Sequence, residues 1–331
     1  MKVSFIIATL NEVRRLPRVV ESIRAQDYPS ELVEIVVVDG LSEDGTQEYA
    51  RSAGCVVVDN PRRLAEPGHL LGYRAATGDL LVIIAADNVL HARDFIFRIC
   101  EPFDDPNVYA AVPRVVSTGE DSLSTRYIND FTDPFNHFLY GSAAAPATFG
   151  RAYRTKRATG AYVVYDFSPE RPPLIAIAQG VTVRAGVPQR EGWEEDDILP
   201  IVDLLAQGHD IAYVPGALIE HHTVGGLRDF VRKFGPRIAK RLEDRNQPVW
   251  QRAATWTASR RIRAYLWPFY AVSIVAPAIA GLFGALRDRR ATWLYHPVIS
   301  FALGLEFWRR ALPYAWSAAL CRLRGATRGN S

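Results

Sequence analysis

"LLVIIAADNVL", residues 80–90, is apolar from Leu80 to Ala86 and turns polar at Asp87 and Asn88. Seven apolar positions in a row are the pattern of a strand buried on both faces, as in a parallel sheet covered by helices. The carboxylate at the tip of such a strand has two explanations. Asp and Asn are good cap and turn residues. The carboxyl edge of an open α/β sheet is also its ligand crevice.

The chain before this stretch repeats the pattern. "KVSFIIAT", "VEIVVVDG" and "CVVVDN" are apolar runs of strand length. Between them, "EVRRLPRVVESIRAQ" places Leu16, Val19, Val20 and Ile23 at helical spacing. "SEDGTQEYARSAG" predicts a helix closed by Gly54, and "HLLGYRAATG" a short one ending at Gly78. Strands alternating with helices predict a parallel sheet covered on both faces. Beyond residue 90, roughly Val112 to Gly192 mixes aromatics with turn formers, which fits a substrate-facing loop region or a plain surface insertion. "LIAIAQGVTVRAG" predicts a return strand, and Gln179 and Gly180 within it are candidate substrate contacts. "EEDDILPIVDLLAQGHDIAYVP" predicts an acidic helix start, a helix ending at Gly208, and a further strand.

Composition sets the outer bounds. The 331 residues suffice for one large domain or two smaller ones, and 23% charged with 48% apolar residues describes a folded chain. A net charge of +3 gives no basis for a nucleic-acid partner. Cys55, Cys100 and Cys321 are too scattered for a metal motif or a disulfide framework, which suits the cytoplasm. The N-terminal run "VSFIIATL" is short and stops at Asn11 and Glu12, unlike a signal peptide.

Polar groups gather at three strand ends: Thr9, Asn11 and Glu12; Asp39, Ser42 and Asp44; Asp87 and Asn88. Each group alone is a cap or turn at least as readily as a ligand. Three at one sheet edge favour the crevice. A dinucleotide fold would carry G-x-G-x-x-G after the first strand, but "TLNEVRRLP" has no glycine, and no P-loop occurs. A nucleotide here would be held through its base or ribose, with a hard divalent cation, Mg²⁺ or Mn²⁺, neutralising its phosphates.

"SFIIATLNEVRRLPRVVESIRAQDYP", "EIVVVDGLSEDGTQEYARS", "ATGDLLVIIAADNVL" and "EEDDILPIVDLLAQGHDIAYVPGALIEHH" together resemble glycosyltransferase family 2, over most of residues 1–225. The resemblance implies a GT-A fold: Rossmann-like, with a mostly parallel sheet. It implies a nucleotide-sugar donor contacted by Thr9, Asn11, Glu12 and Asp39. The family's Asp-x-Asp metal motif stands here as Ala85-Ala86-Asp87, so its first carboxylate is missing. Asp87 is then the metal residue, with Asn88 or His221 completing the coordination. The family's acidic pair falls on Asp196-Asp197, within the run Glu194 to Asp197. Four acids at a helix start can be a solvated cap. Crowded like charges can also raise one pKa toward that of a general base. The resemblance implies inversion, with Asp197, or else Asp196, as base.

After residue 225 the chain changes character. "RDFVRKFGPRIAKRLEDR" is basic and amphipathic, a candidate cover for donor phosphates or a membrane-facing helix. From Ala264 to Leu286 there is no charge over 23 residues, enough to cross a bilayer core of roughly 30 Å. Arginines flank this stretch and the next one alike, so no inside–outside asymmetry exists. That symmetry favours re-entrant or interfacial helices, with Trp256, Trp267, Trp293 and Trp308 at headgroup level. A hydrophobic hairpin packed on the catalytic domain is the competing reading. The expected division is a catalytic domain over 1–225, interfacial helices over 226–263 and membrane-associated helices over 264–331. The expected function is transfer of a sugar from a nucleotide-sugar donor to a lipid-linked acceptor at the cell membrane, with the catalytic domain cytoplasmic. A nucleotidyltransferase and a degenerate sugar- or lipid-binding scaffold are the alternatives.

Overall fold

The computed structural model describes residues 1–187, 193, 198–243 and 256–328. Its first third follows the apolar pattern closely: β1 (Val3–Thr9), α1 (Leu16–Arg24), β2 (Val33–Asp39), α2 (Thr46–Ser52), β3 (Val56–Asp59), α3 (Ala65–Ala75) and β4 (Leu80–Ala85). The strands alternate between two cores. Val3, Phe5, Ile7, Val37, Val82 and Ile84 pack toward α1 and α4 (Phe95–Cys100). Ile6, Val36, Val38, Leu81 and Ile83 pack on the other face. Full burial of such a side chain contributes about 1.5–3 kcal/mol. On the second face α3 lies close on β1. A Cβ at Gly72 would stand 2.3 Å from Ile6 Cγ2, so only glycine permits that approach.

The sheet has the order β3-β2-β1-β4-β9-β6-β10-β8-β7, with a short β5 (Asn88–Leu90) on β10. The strands β1 to β4 are parallel, as are β6 (Val108–Val116) and β10 (Asp210–His221). Between them β9 (Gln179–Arg184) runs antiparallel to both β4 and β6. The sheet is therefore mixed rather than simply parallel. The chain enters β9 beside Ile84 and Ala85, at the carboxyl edge of β4, and can only run back from there. A hairpin of β7 (Thr155–Ala158) and β8 (Val163–Tyr165) extends the far edge.

The middle segment is helical: α5 (Leu123–Phe131), α6 (Pro134–Tyr140) and α7 (Phe149–Ala152). Asp133 caps α6 by accepting from the Phe135 and Asn136 amides at 3.0 Å each. After α8 (Leu199–Ala206) and β10 comes α9 (Leu227–Glu243).

The uncharged stretch from Ala264 to Leu286 does not form one helix. It divides into α10 (Ala258–Val272) and α11 (Val275–Asp288), bent by 99°. The break is at Ile274, whose φ is +58°, and Pro277 follows within the first turn of α11. No single helix among the described residues is long and apolar enough to cross a membrane. The inner face of this region joins the core on the second face of the sheet: Trp267 meets Phe135 edge-on at 5.2 Å, and Trp293 lies 4.2 Å from Phe131. Both tryptophans are buried, which corrects their expected place at headgroup level. Their spacing puts them on the side of the hairpin that covers α5 and α6. The outer face is open, with Tyr265, Phe269, Phe283 and Leu286 all more than 60% exposed. A long α12 (His296–Arg328) closes the chain against α9 and α10.

Candidate active site

The ends of β1 and β2 form the first half of the site. Asp39 is fully buried. One carboxylate oxygen accepts from the Ser42 amide at 2.7 Å and Gln47 Nε2 at 2.9 Å. The other accepts from Thr9 Oγ1 at 2.8 Å and Ser42 Oγ at 2.7 Å. Burial opposes its charge, but these four donors outweigh burial and hold the carboxyl below its usual range. Four donors fill the acceptor capacity of a carboxylate. Asp39 is thus the hub of the loop after β2, and Ser42 and Gln47 are the groups it presents. Asn11, at φ +56°, donates its amide to Ser42 Oγ at 2.7 Å and accepts from the Glu43 amide at 3.0 Å. Asp44 accepts from the Val13 amide at 3.1 Å and from Thr46, whose hydroxyl accepts from the Glu12 amide at 2.9 Å. The two loops expected to hold the nucleotide are therefore locked to one another.

The second half forms at β4. Strand pairing ends at Ala85, residues 86–87 turn, and Asn88 starts β5 opposite His221 of β10. This pairing brings Asp87 and His221 together across 134 residues of sequence; their Oδ2 and Nε2 are 3.8 Å apart. Asn129 fixes the ring. Its Nδ2 donates to the His221 carbonyl at 2.9 Å, which turns its Oδ1 to His221 Nδ1 at 2.8 Å. Nδ1 therefore carries the proton and Nε2 offers its lone pair toward Asp87. Gln179 reaches the same ring at 3.3 Å. Gly180, at φ +78°, is where a Cβ would meet Ile219 and Pro113 at 3.0 Å each. It keeps β9 tight beneath Gln179.

Lys233 of α9 completes the group. Its ammonium lies 3.2 Å from Asp87 Oδ2 and 2.8 Å from Thr223 Oγ1. Burial works against the Asp87 charge, yet its pKa is lowered from the ordinary value. A charged imidazole at His221 would help, but burial lowers that ring's pKa too. The ammonium is the partner that holds Asp87 ionised. Nearby, burial raises the Glu12 carboxyl; Arg15 opposes this and the Asp87 charge adds to it.

Asn88 does not present its oxygen here: its side chain is fully buried and Oδ1 accepts from the Ala85 amide at 3.0 Å. His222 is also turned aside, held by Asp121 at 2.8 Å and Glu220 at 2.9 Å. Asp196 and Asp197 lie outside the described residues. Among the described residues no three His, Cys, Asp or Glu side chains converge as a metal cluster.

An α/β sheet with a locked polar pocket beyond β1 and β2, and a carboxylate–imidazole pair beyond β4, defines the nucleotide-diphospho-sugar transferase class of fold, GT-A. Comparison with known proteins agrees. Residues 4–163, just under half of the chain, match the Glycosyl transferase family 2 model. Glycosyltransferase AglE of Haloferax volcanii is 26% identical over 91 residues, which cover 26% of this chain and 30% of that relative. The chain thus aligns with under a third of its curated relative's length. Among solved structures, the mannosyltransferase PcManGT of Pyrobaculum calidifontis, in complex with GDP-Man and Mn²⁺, shares the fold. The TM-score is 0.53 and the identity 21%, over 92% of this chain and 86% of that one.

Proposed function

We propose that this protein transfers a sugar, with inversion, from a nucleotide-sugar donor to a lipid-linked acceptor at the cytoplasmic face of the cell membrane. The acceptor is a polyprenyl phosphate or a polyprenyl-diphosphate saccharide. The observation that carries the reading is the convergence of Asp87, His221 and Lys233 beside the loops locked by Asp39. In that pocket Ser42, Gln47 and Asn11 meet the nucleoside end, and Lys233 and Arg15 meet the diphosphate.

The donor set fits a divalent cation. Asp87 gives a hard carboxylate oxygen, and His221 a lone pair whose direction Asn129 fixes. Mg²⁺ and Mn²⁺ at phosphate sites commonly take one or two protein donors, with phosphates and water filling the rest. Such an ion supplies charge for the departing nucleoside diphosphate. Lys233 has to release Asp87 for this, and its freed ammonium then faces the phosphates. On a saccharide acceptor, Asp197, or Asp196, removes the proton of the attacking hydroxyl; a polyprenyl phosphate attacks through an oxygen that is already ionised.

The open apolar face of α10 and α11 supports the lipid-linked acceptor. Lying in one leaflet, it keeps the arginines of both flanks on one side of the membrane. The missing first carboxylate, Ala85 in its place, and the Lys233 contact favour a second reading, a sugar- or lipid-binding scaffold without turnover.

A panel of nucleotide sugars, tested with Mn²⁺ for binding and for release of nucleotide, separates the two. Turnover supports the transferase; binding with no release under any donor supports the scaffold. Asp87→Ala is expected to abolish metal-dependent donor binding. A variant that binds donor as wild type does with Mn²⁺ would show the site assignment to be wrong.

A further inference from the structure

The loops that follow β1, β2 and β3 each hold one residue other than glycine in the left-handed region: Asn11 at φ +56°, Leu41 at +59° and Arg63 at +55°. Asparagine takes this conformation readily, whereas leucine and arginine do so only at a cost. Such strain gathers where a ligand has to be met. At or beside each strained position stands an exposed leucine: Leu10 at 38%, Leu41 itself at 40% and Leu64 at 48%. A Cβ at Gly40 would stand 3.2 Å from Leu10 Cδ1 and 3.4 Å from Arg63 Cα, so the first and third loops both close on the residue before Leu41. The three leucines therefore surround one point at the carboxyl edge of the sheet, beside the pocket of Asp39. The polar groups of that pocket are spent on one another. Asp39 has its acceptor positions filled by four donors. The Ser42 amide and hydroxyl both go to Asp39, and its oxygen accepts from the Asn11 amide. Gln47 Nε2 serves Asp39 and, at 3.2 Å, Asp59, while its Oε1 accepts from Arg51 at 2.9 Å. Asp59 is exposed, where a hydrogen bond to a ligand only replaces one to water. These groups line the nucleoside end but have little left with which to read the edge of a base.

We infer that Leu10, Leu41 and Leu64 seat the ring face of the donor's nucleobase, and that the base is chosen by its apolar area rather than through Asp39. A nucleobase is flat, with apolar faces and polar edges, so leucines can cover the face while water keeps the edge. Area then ranks the bases: a purine covers more of the seat than a pyrimidine. Guanine and hypoxanthine differ only by an amino group on the edge and rank together. Leu41 is held in its strained conformation from both sides. The Gly40 amide donates to the Thr9 carbonyl at 2.8 Å, and Ser42 is bound to Asp39 through its amide and its hydroxyl. A glycine at position 41 would relieve the strain and remove the central side chain of the seat, so stability and base binding would move in opposite directions.

The inference rests on the nucleotide-sugar reading above, and one set of measurements distinguishes their failures. Full-length protein in detergent, with Mn²⁺ present, is titrated in a calorimeter with GDP, IDP, UDP and inorganic pyrophosphate. Wild type is expected to bind GDP and IDP within about twofold of each other, and both about threefold or more tightly than UDP. Leu41→Gly is expected to weaken GDP about tenfold, the loss of one partly covered leucine, and to leave pyrophosphate unchanged. Its thermal midpoint should stand at or above that of wild type. Leu64 is exposed and has ordinary backbone, at φ −118°. Leu64→Gln should therefore fold as wild type does and weaken GDP about threefold or more. Unchanged GDP affinity in Leu64→Gln, together with unchanged affinity or a lowered midpoint in Leu41→Gly, overturns the seat. Pyrophosphate bound as tightly as GDP overturns it too. GDP preferred to IDP by about tenfold or more overturns choice by area and returns the base to hydrogen-bond reading. Leucine-dependent GDP binding with no release of nucleotide from any nucleotide sugar keeps the seat and removes the transferase reading; release of nucleotide with leucine-independent GDP binding does the reverse.

Discussion

Asn129 shows how one side chain can set the orientation of another. Its two hydrogen bonds to the His221 carbonyl and ring fix which nitrogen of His221 faces Asp87. Removing such a supporting partner at a metal site typically costs 10- to 100-fold in metal affinity. Asn129→Leu is therefore expected to weaken Mn²⁺ binding by about that factor while nucleotide binding without metal stays as in wild type. Manganese titration followed by electron paramagnetic resonance reads the difference, and an unchanged manganese affinity would separate Asn129 from the site. Nothing local in "YINDFTDP" marks Asn129, because its importance comes from α5 lying against the end of β10. Lys233 was legible only as one of several basic residues in an amphipathic segment. Asp87 was legible because it stands at the end of an apolar strand, and His221 only through the family resemblance. Asp39 was legible as a position but not as a saturated hub, since its donors come from the end of β1, the loop after β2 and α2.

Among the elements, strand existence was plain and strand direction was not. An apolar run such as "LLVIIAA" states that both faces are covered, and β1 to β4 follow it with ends shifted by a residue or so. The run "GVTVR" carries no comparable sign that β9 runs antiparallel; the point of entry into the sheet decides that. The same holds for the 23-residue uncharged stretch, whose composition suits one long helix. A positive φ at Ile274 and a proline soon after make it two. Gly180 links an element to the site. At φ +78° with Ile219 and Pro113 3.0 Å from a notional Cβ, Gly180→Ala is strained in backbone and packing together. A loss of about 1–3 kcal/mol in unfolding free energy is expected. Gln179 should shift off His221 as β9 moves, so manganese affinity should fall as well. A variant as stable as wild type in urea would mean that β9 can relax without cost.

The whole molecule joins a pH-sensitive core to an open apolar face. Burial pushes His69 and His137 down to about 4. In the unfolded chain both would titrate near 6.5. Between these values the unfolded state binds more protons, so stability rises with pH across the window and falls as pH drops from about 6.5 toward 4. His137→Gln should remove part of that slope in denaturant midpoints measured across the window, whereas an unchanged slope would show the ring to be protonated in the fold. The open apolar face is tested at the same scale, because it depends on how α10 and α11 lie on the sheet and its helices. Trp267 and Trp293 turn inward, so the two helices cannot be removed without exposing Phe131 and Phe135. Their outward residues can be changed without touching that core. Phe283 and Leu286 on α11 are 69% and 72% exposed. Placing each in lipid would contribute about 1.5–3 kcal/mol. Phe283→Glu with Leu286→Glu is therefore expected to weaken binding to phospholipid vesicles by roughly 10²-fold or more, with the thermal midpoint in detergent nearly unchanged, as for other exposed substitutions. Cosedimentation with vesicles measures the first quantity. Vesicle binding equal to wild type would show that this face does not meet lipid, and a fall in oligomer size in its place would assign the face to a second copy of the chain.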